Sequence, residues 1–479
     1  MASSAAPWGL RWRSSTFFIV FVVGVGIFTD LVTYSIVVPV LPFVLRDRVG
    51  VPDHRLQIYV SVLIGVMAAA SFVFSPVAGV IADRTGNRQR PFLAGLFALL
   101  FSTILLATGE TVGLIALARV LQGMSSAVVW VVGLAICLET VGPNRLGTTI
   151  GTIFSFVNLG TQAAPVLGGV LYSKTGYASV FALCLGLVCI DIVLRLLMIE
   201  KKTAARYRAE LPDHACPSPV DGQVEEQTPL LEDSTAQPDL EAYRLPAPSN
   251  WLTRKNPIFL MLGNSALITS FYIGFVQAFL IGSYDSTIPL IALEYYNFDS
   301  LKTGILFLAL GLPGMVSGPL AGWAVDKYSP RIVAILGYGY LVPMHILFRV
   351  PRPGGPVQVA IFAVILALSS IGNAAIDSPS MVEAGIIVEK YHKANPALFG
   401  DVGPYAQLYG MNSMVFSLGV TVGPVVAGAL KDTIGYGNMN AVMAAVCGSA
   451  AILSWRYLGT EPSLISSKGG DEIDGVDCD

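Results

Sequence analysis

Four aspartates lie inside stretches that are otherwise apolar: Asp30 in GIFTDLVTYSIVVPVLP, Asp191 in CIDIVLRLL, Asp285 in FLIGSYDSTIPL and Asp377 in SSIGNAAIDSPSMVEAG. Glu294 follows Pro289 by five residues, and Arg119 in ARVLQG is a buried base to set against these acids. Charge at the centre of a bilayer costs several kcal/mol, so each such residue needs a reason to be there. A carboxyl in a low-dielectric cavity is easily protonated. It can take up a proton on one side of a membrane and release it on the other. If a cargo molecule and a proton compete for the same acid, exchange becomes obligatory. Tyr34 stands one turn past Asp30, and Asn158, Asn373 and Asn412 are amides expected to face the same pore. Asp191 and Arg195 are spaced i,i+4, on one helix face, and an ion pair between them is the plainer alternative. Glu139 and Glu383, near helix ends, are expected to be solvated or structural.

The elements that must carry these residues are membrane spans. The chain has 479 residues, 54% of them apolar and only 13% charged. A soluble domain carries about 25% charged residues, so this one must turn most of its surface to lipid. A spanning helix needs about 20 apolar residues. Runs of that kind fall at about 16–44, 58–82, 91–109, 112–138, 147–173 and 179–199, and again at about 257–293, 302–325, 331–349, 357–389, 404–431 and 436–458. The expected fold is all-α, with twelve transmembrane helices in two pseudo-symmetric six-helix bundles over residues 16–199 and 257–458. Between them, 200–256 is rich in proline, acid and serine and reads as a disordered linker. Residues 1–15 and 459–479 read as polar tails. The first run exceeds the 7–15 residues of a signal-peptide core and carries Asp30 and Pro39, so it is read as a retained span.

Two internal repeats support a duplication. SPVAGVIADRTGNRQRP, Ser75 to Pro91, returns 243 residues later as GPLAGWAVDKYSPR. Gly79, Asp83, Arg84 and Arg88 map to Gly322, Asp326, Lys327 and Arg331, while Ser329 stands where Gly86 would put a glycine. GTQAAPVLGGVLYSKTGY, from Gly160, returns 259 residues later as GVTVGPVVAGALKDTIGY. Gly160, Pro165 and Gly169 belong to the first copy, Gly423 and Pro424 to the second. With both termini on one side, nineteen of the 29 Lys and Arg fall in the tails, linker and loops of that side. Eight fall opposite, and Arg119 and Arg195 lie inside helices. That bias puts the tails and linker in the cytoplasm.

The first repeat resembles the loop between helices two and three of the major facilitator superfamily, where the Asp and basic residues gate the cytoplasmic side. The second resembles that superfamily's antiporter motif, with Ala164 replacing a glycine in the first copy. The Asp30 helix, ARVLQG, AIDSPSM and the Tyr405–Pro424 stretch together resemble the vesicular amine transporter branch of the drug:proton antiporters. The resemblance implies contact between Asp30 and a cationic amine, a proton-coupling role for Asp377 and ligand contact at Glu294. Two departures limit it: Met67 stands where that branch has a second-helix Lys, and Ser413 where it has an eleventh-helix Asp. Monoamine specificity is therefore not carried over. The Asp285 segment resembles fungal members of the branch, many of which export secondary metabolites or drugs.

The implied function is proton-coupled export of small organic molecules by alternating access. Uptake of a metabolite such as a sugar is the alternative on the same fold, and a non-transporting sensor the alternative of another class. The resemblance implies a monomer in the lipid bilayer whose partners are protons and a small-molecule substrate. No cofactor, metal or nucleic acid is expected. The four His are dispersed and no nucleophile–base pair or nucleotide loop appears, so an enzyme is not expected. The six Cys show no metal or redox spacing and no Asn-x-Ser/Thr sequon occurs. The plasma membrane is the expected location. EQTPLL, Glu226 to Leu231, resembles an acidic dileucine sorting signal, and a vacuolar or vesicular membrane is the alternative.

Overall fold

A computed structural model describes residues 7–85, 88–209, 240–246, 258–298, 300–399 and 403–460. These residues are helical, with no strand among them. The first bundle comprises α1 (Thr16–Asp47), α2 (Asp53–Arg84), α3 (Gln89–Thr108), α4 (Val112–Val141), α5 (Leu146–Thr175) and α6 (Tyr177–Leu197). The second comprises α7 (Ser265–Tyr296), α8 (Ser300–Lys327), α9 (Pro330–Leu347), α10 in two pieces, α11 (Tyr405–Ile434) and α12 (Tyr436–Tyr457). Twelve segments among the described residues are long and apolar enough to cross a membrane. Large apolar side chains such as Phe101, Val316, Leu336 and Val425 stay exposed on the outside of the bundles, as lipid-facing positions must.

α10 breaks at Asp377. α10a (Pro356–Ile376) stops, Asp377 and Ser378 intervene, and α10b (Pro379–Ala394) begins with proline at its first turn. Proline has no N–H to lose at that position, and it disfavours a helical residue before it. Irregular backbone at membrane depth is tolerated where protein covers it. The turns after α5 and α11 are duplicates. Gly176, at φ 84°, and Gly435, at φ 81°, each end one helix and start the next. A left-handed φ of that kind suits glycine.

The linker differs from the expectation of disorder at both of its ends. Lys201–Ala209 is a helix, and Leu240–Tyr243 is a short 3₁₀ turn docked on α10b. Tyr243 is buried against Tyr391, and Asn395 Nδ2 donates to its carbonyl at 2.8 Å while Asn395 Oδ1 accepts from Leu245 N at 3.0 Å. One buried aromatic and two backbone captures suffice to order a polar segment. The stretch between them, including EQTPLL, lies outside the described residues. The long seventh run divides into Ile258–Met261 and α7, with Asn264 capping α7 through the N–H groups of Ala266 and Leu267.

Candidate functional site

Two seams join the bundles, α2 against α11 and α5 against α8, and both begin at the face bearing the tails. In the first, Asp83 accepts from Ala406 N at 3.0 Å and Gln407 N at 2.8 Å, capping α11. In the second, Asp326 accepts from Gly147 N and Thr148 N, both at 2.7 Å, capping α5. Each carboxylate thus meets orphan N–H groups and the positive end of a helix dipole across the bundle boundary.

Small residues let the backbones touch behind these caps. A Cβ on Gly79 would lie 2.5 Å from the Ala406 carbonyl oxygen, and one on Gly151 2.5 Å from that of Gly318. Ser75 and Ser413 hydroxyls meet at 3.1 Å, and Ser71 and Ser417 at 3.4 Å. From Asp83 to Ser71 this closure spans about 18 Å of helix, at roughly 1.5 Å per residue. All inter-bundle hydrogen bonds drawn between described residues lie within it or at its upper edge. These bonds join the bundles on the side of the tails.

The copies are held differently. Arg88 is buried and bridges Asp83 at 3.1 Å and Glu139 at 2.6 Å, so Glu139 is a gate member rather than a solvated end. Arg84 is exposed, and Gly86 lies outside the described residues. In the second copy, Arg331 donates to the Trp455 carbonyl. Glu383 instead accepts from Gly459 N at 2.8 Å. Lys327 is exposed and lies over the rings of Trp323 and Tyr328. Below the first gate, burial pushes the Glu200 carboxyl above its ordinary range, and the nearby Arg195 guanidinium pulls it back.

At the upper edge of the closure sits Asp377, 4% exposed. Gln277 Nε2 of α7 donates to it at 2.8 Å, and Asn158 Nδ2 of α5 at 3.3 Å. Its two donors therefore come from the two bundles. Asp30 is fully buried on α1 and accepts from Ser126 Oγ of α4 at 2.7 Å, with the Trp130 indole beside it. Arg119, also fully buried, donates to Gln122 at 2.8 Å and leaves Nε and Nη2 without a hydrogen-bond partner. Tyr34 lies within electrostatic reach of both Arg119 and Asp285. Asp285 is exposed although it sits inside α7. Its reach to Tyr34 of the opposite bundle turns it toward the space between bundles rather than toward lipid.

The other sequence candidates scatter. Asn412 accepts from Ser380 Oγ at 3.3 Å, and Asn373 bonds Tyr284, so both knit the second bundle together. Glu294 stands nine residues beyond Asp285 and pairs with Lys431 at the far end of α11, apart from the central group. The expected Asp191–Arg195 ion pair does not close: Arg195 pairs with Glu200 at 3.8 Å and stacks on Phe92 at 4.2 Å. The guanidinium reaches past the helix end toward Glu200 rather than back to its i−4 neighbour, and its Nε and Nη2 make no hydrogen bond. Gly160 packs on Phe28, Gly423 on the Phe279 carbonyl, and Pro424 near Gly282. Pro165 lies inside α5, and so does Gly169. Sequence reasoning gave Gln277 as an amide inside a helix without its pairing to Asp377, and overlooked Ser126 as a partner of Asp30. Their one signal was a polar side chain within an apolar run.

Two helical bundles joined along two seams, with buried acids in each, are the features to compare with known proteins. The model of the Major Facilitator Superfamily matches residues 16–394. The chain belongs to the major facilitator superfamily, a family of membrane transporters. It is 40% identical to the MFS-type transporter ppzB of Metarhizium rileyi over 97% of this chain and 100% of that one. It is 21% identical to the vesicular acetylcholine transporter of Drosophila melanogaster over 89% of this chain and 69% of that one. Among solved structures, the human organic anion transporter MFSD10 (TETRAN) superposes with a TM-score of 0.60 over 92% of this chain and 99% of that one, at 15% identity. That likeness is one of fold. The chain is thus a multi-pass membrane protein of twelve spans in the major facilitator fold.

Proposed function

We propose that this chain is a proton-coupled antiporter that exports small organic molecules, cationic ones among them, by alternating access. One observation carries the reading: Asp30 and Asp377 are both buried, and the hydrogen bonds each accepts come from neutral donors. A carboxyl with hydroxyl and amide partners can be charged or neutral, whereas one locked to a base cannot change without a large penalty. Asp377 takes donors from both bundles, so its charge state bears on how they meet. Asp285 and the buried Arg119 both lie within electrostatic reach of Tyr34, a second group of charge near the bundle boundary. We infer that the tail side is cytoplasmic, in keeping with the basic residues gathered there. The resemblance of the chain to a vesicular amine carrier supports the cargo class. A monomer in the plasma membrane is part of the proposal.

The test is uptake of a panel of organic cations, anions and neutral compounds into proteoliposomes bearing an imposed pH gradient. Accumulation of at least one cation should follow the gradient and vanish when it is collapsed. Asp30→Asn should weaken cation uptake more than uptake of neutral cargo. Transport indifferent to the gradient would overturn the coupling.

A further inference from the structure

A second acid sits behind Asp30. The Asp191 carboxyl of α6 is fully buried, and neither oxygen has a hydrogen-bond partner. It rests against Gly26 of α1, where a Cβ would lie 3.4 Å from Asp191 Oδ2. Gly26 precedes Asp30 by one helical turn, about 5.4 Å. The charged groups facing Asp191 are Asp30 from α1 and Arg195 from its own helix. From α3 come the uncharged Phe92 ring and the Gln89 side chain, which donates to the Arg195 carbonyl at 3.2 Å. The Cys137 thiol of α4 faces Arg195.

Arg195 is itself fully buried, and its Nε lacks a hydrogen-bond partner. Its Nη1 touches the Met198 sulfur at 3.2 Å and its Nη2 lies 3.8 Å from Glu200. Glu200 in turn lies within electrostatic reach of Arg88 and Glu139. A chain of buried charge therefore runs from Asp30 through Asp191, Arg195 and Glu200 to the Arg88 gate. One base stands between two acids, with two resting places.

We propose that Arg195 is a two-position positioning residue: it holds Glu200 while Asp191 is protonated, and it turns back one helical turn to Asp191 when that acid ionises, loosening the tail-side gate. Two carboxylates this close in a dry core do not both ionise. While Asp30 carries its negative charge, Asp191 keeps its proton and Arg195 stays on Glu200. A proton or a cationic cargo at Asp30 removes the like charge. Asp191 then gives its proton to tail-side water, and Arg195 swings to the new carboxylate. Glu200, released, competes with Asp83 and Glu139 for Arg88, and the Asp83 cap on α11 weakens. The empty carrier keeps its gate shut, and either loaded form releases it. That is the rule an exchanger needs, and in this respect the inference rests on the antiport reading.

The test needs neither cargo nor gradient. Ser75→Cys puts a thiol in the middle of the α2–α11 seam, where Ser75 is fully buried. Its alkylation rate, read at that one position by mass spectrometry, reports gate opening. Asp30→Asn should raise the rate by at least about fivefold, the low end of a typical coupling between sites. Glu200→Gln should raise it with Asp30 intact. Adding Asp191→Asn to Asp30→Asn should return the rate to that of the parent, whereas Asp191→Glu in the same background should keep it high. If the Asp30→Asn/Asp191→Asn pair is alkylated as fast as Asp30→Asn alone, or Glu200→Gln as slowly as the parent, the relay does not exist. If instead Asp30→Asn still accumulates an organic cation against its gradient at the parent rate, the antiport reading fails whatever the alkylation pattern.

Discussion

The α2–α11 and α5–α8 seams are two copies of one closure, and they differ in what stands behind the capping carboxylate. In both, an aspartate caps the facing helix and small residues let the backbones touch. Behind Asp83 lies a buried triad with Arg88 and Glu139; behind Asp326 the corresponding Arg331 and Glu383 have taken other partners. The first gate is thus wired into the charge chain that leads to Asp30. In the second, Arg331 lies within electrostatic reach of Glu383 but donates to a backbone carbonyl instead. The lesson is that duplication keeps the geometry of closure while leaving the electrical control free to settle on one side.

The strongest way to break this comparison is to remove what the copies share. Gly79→Leu and Gly151→Leu should each abolish transport, since even a Cβ at these sites meets a facing carbonyl. Inter-bundle distances measured by spin labels on the tail side should lengthen in both. Next comes what they do not share. Arg88→Gln strands two acids and should destabilise the protein by about 3–5 kcal/mol, the usual cost of breaking a buried pair from one side. Arg331→Gln should cost less than about 1 kcal/mol. Thermal unfolding of the two variants side by side checks the difference, and equal losses would erase the asymmetry. Smallest is Lys327→Ala, which removes only an exposed cation–ring contact of about 0.5–1 kcal/mol and should leave transport unchanged in the same uptake assay.

Much of this was legible in the sequence because it is carried by period and repeat. The 243-residue recurrence of the Gly79–Arg88 segment located both seams between the bundles, and the apolar runs placed the spans. The break in α10 was not legible: about 357–389 reads as one run, and proline alone does not decide it, since Pro76, Pro165 and Pro424 lie inside unbroken helices. Partner choice was not legible. Asp191 and Arg195 share a helix face by spacing, yet the guanidinium reaches Glu200 past the helix end. Nor does spacing say that Asp285 is exposed while Asp30 is covered by Ser126 and Trp130, since that depends on which helices pack around each. Tyr243 lay in a polar linker, and only the slot beside Tyr391 reveals why it orders.

The most direct test of proton exchange through buried acids is one variant, Asp377→Asn, in two assays on the same proteoliposomes. Accumulation driven by a pH gradient should be lost, while exchange of labelled for unlabelled cargo at equal pH persists. Uphill accumulation at the parent rate would contradict the account.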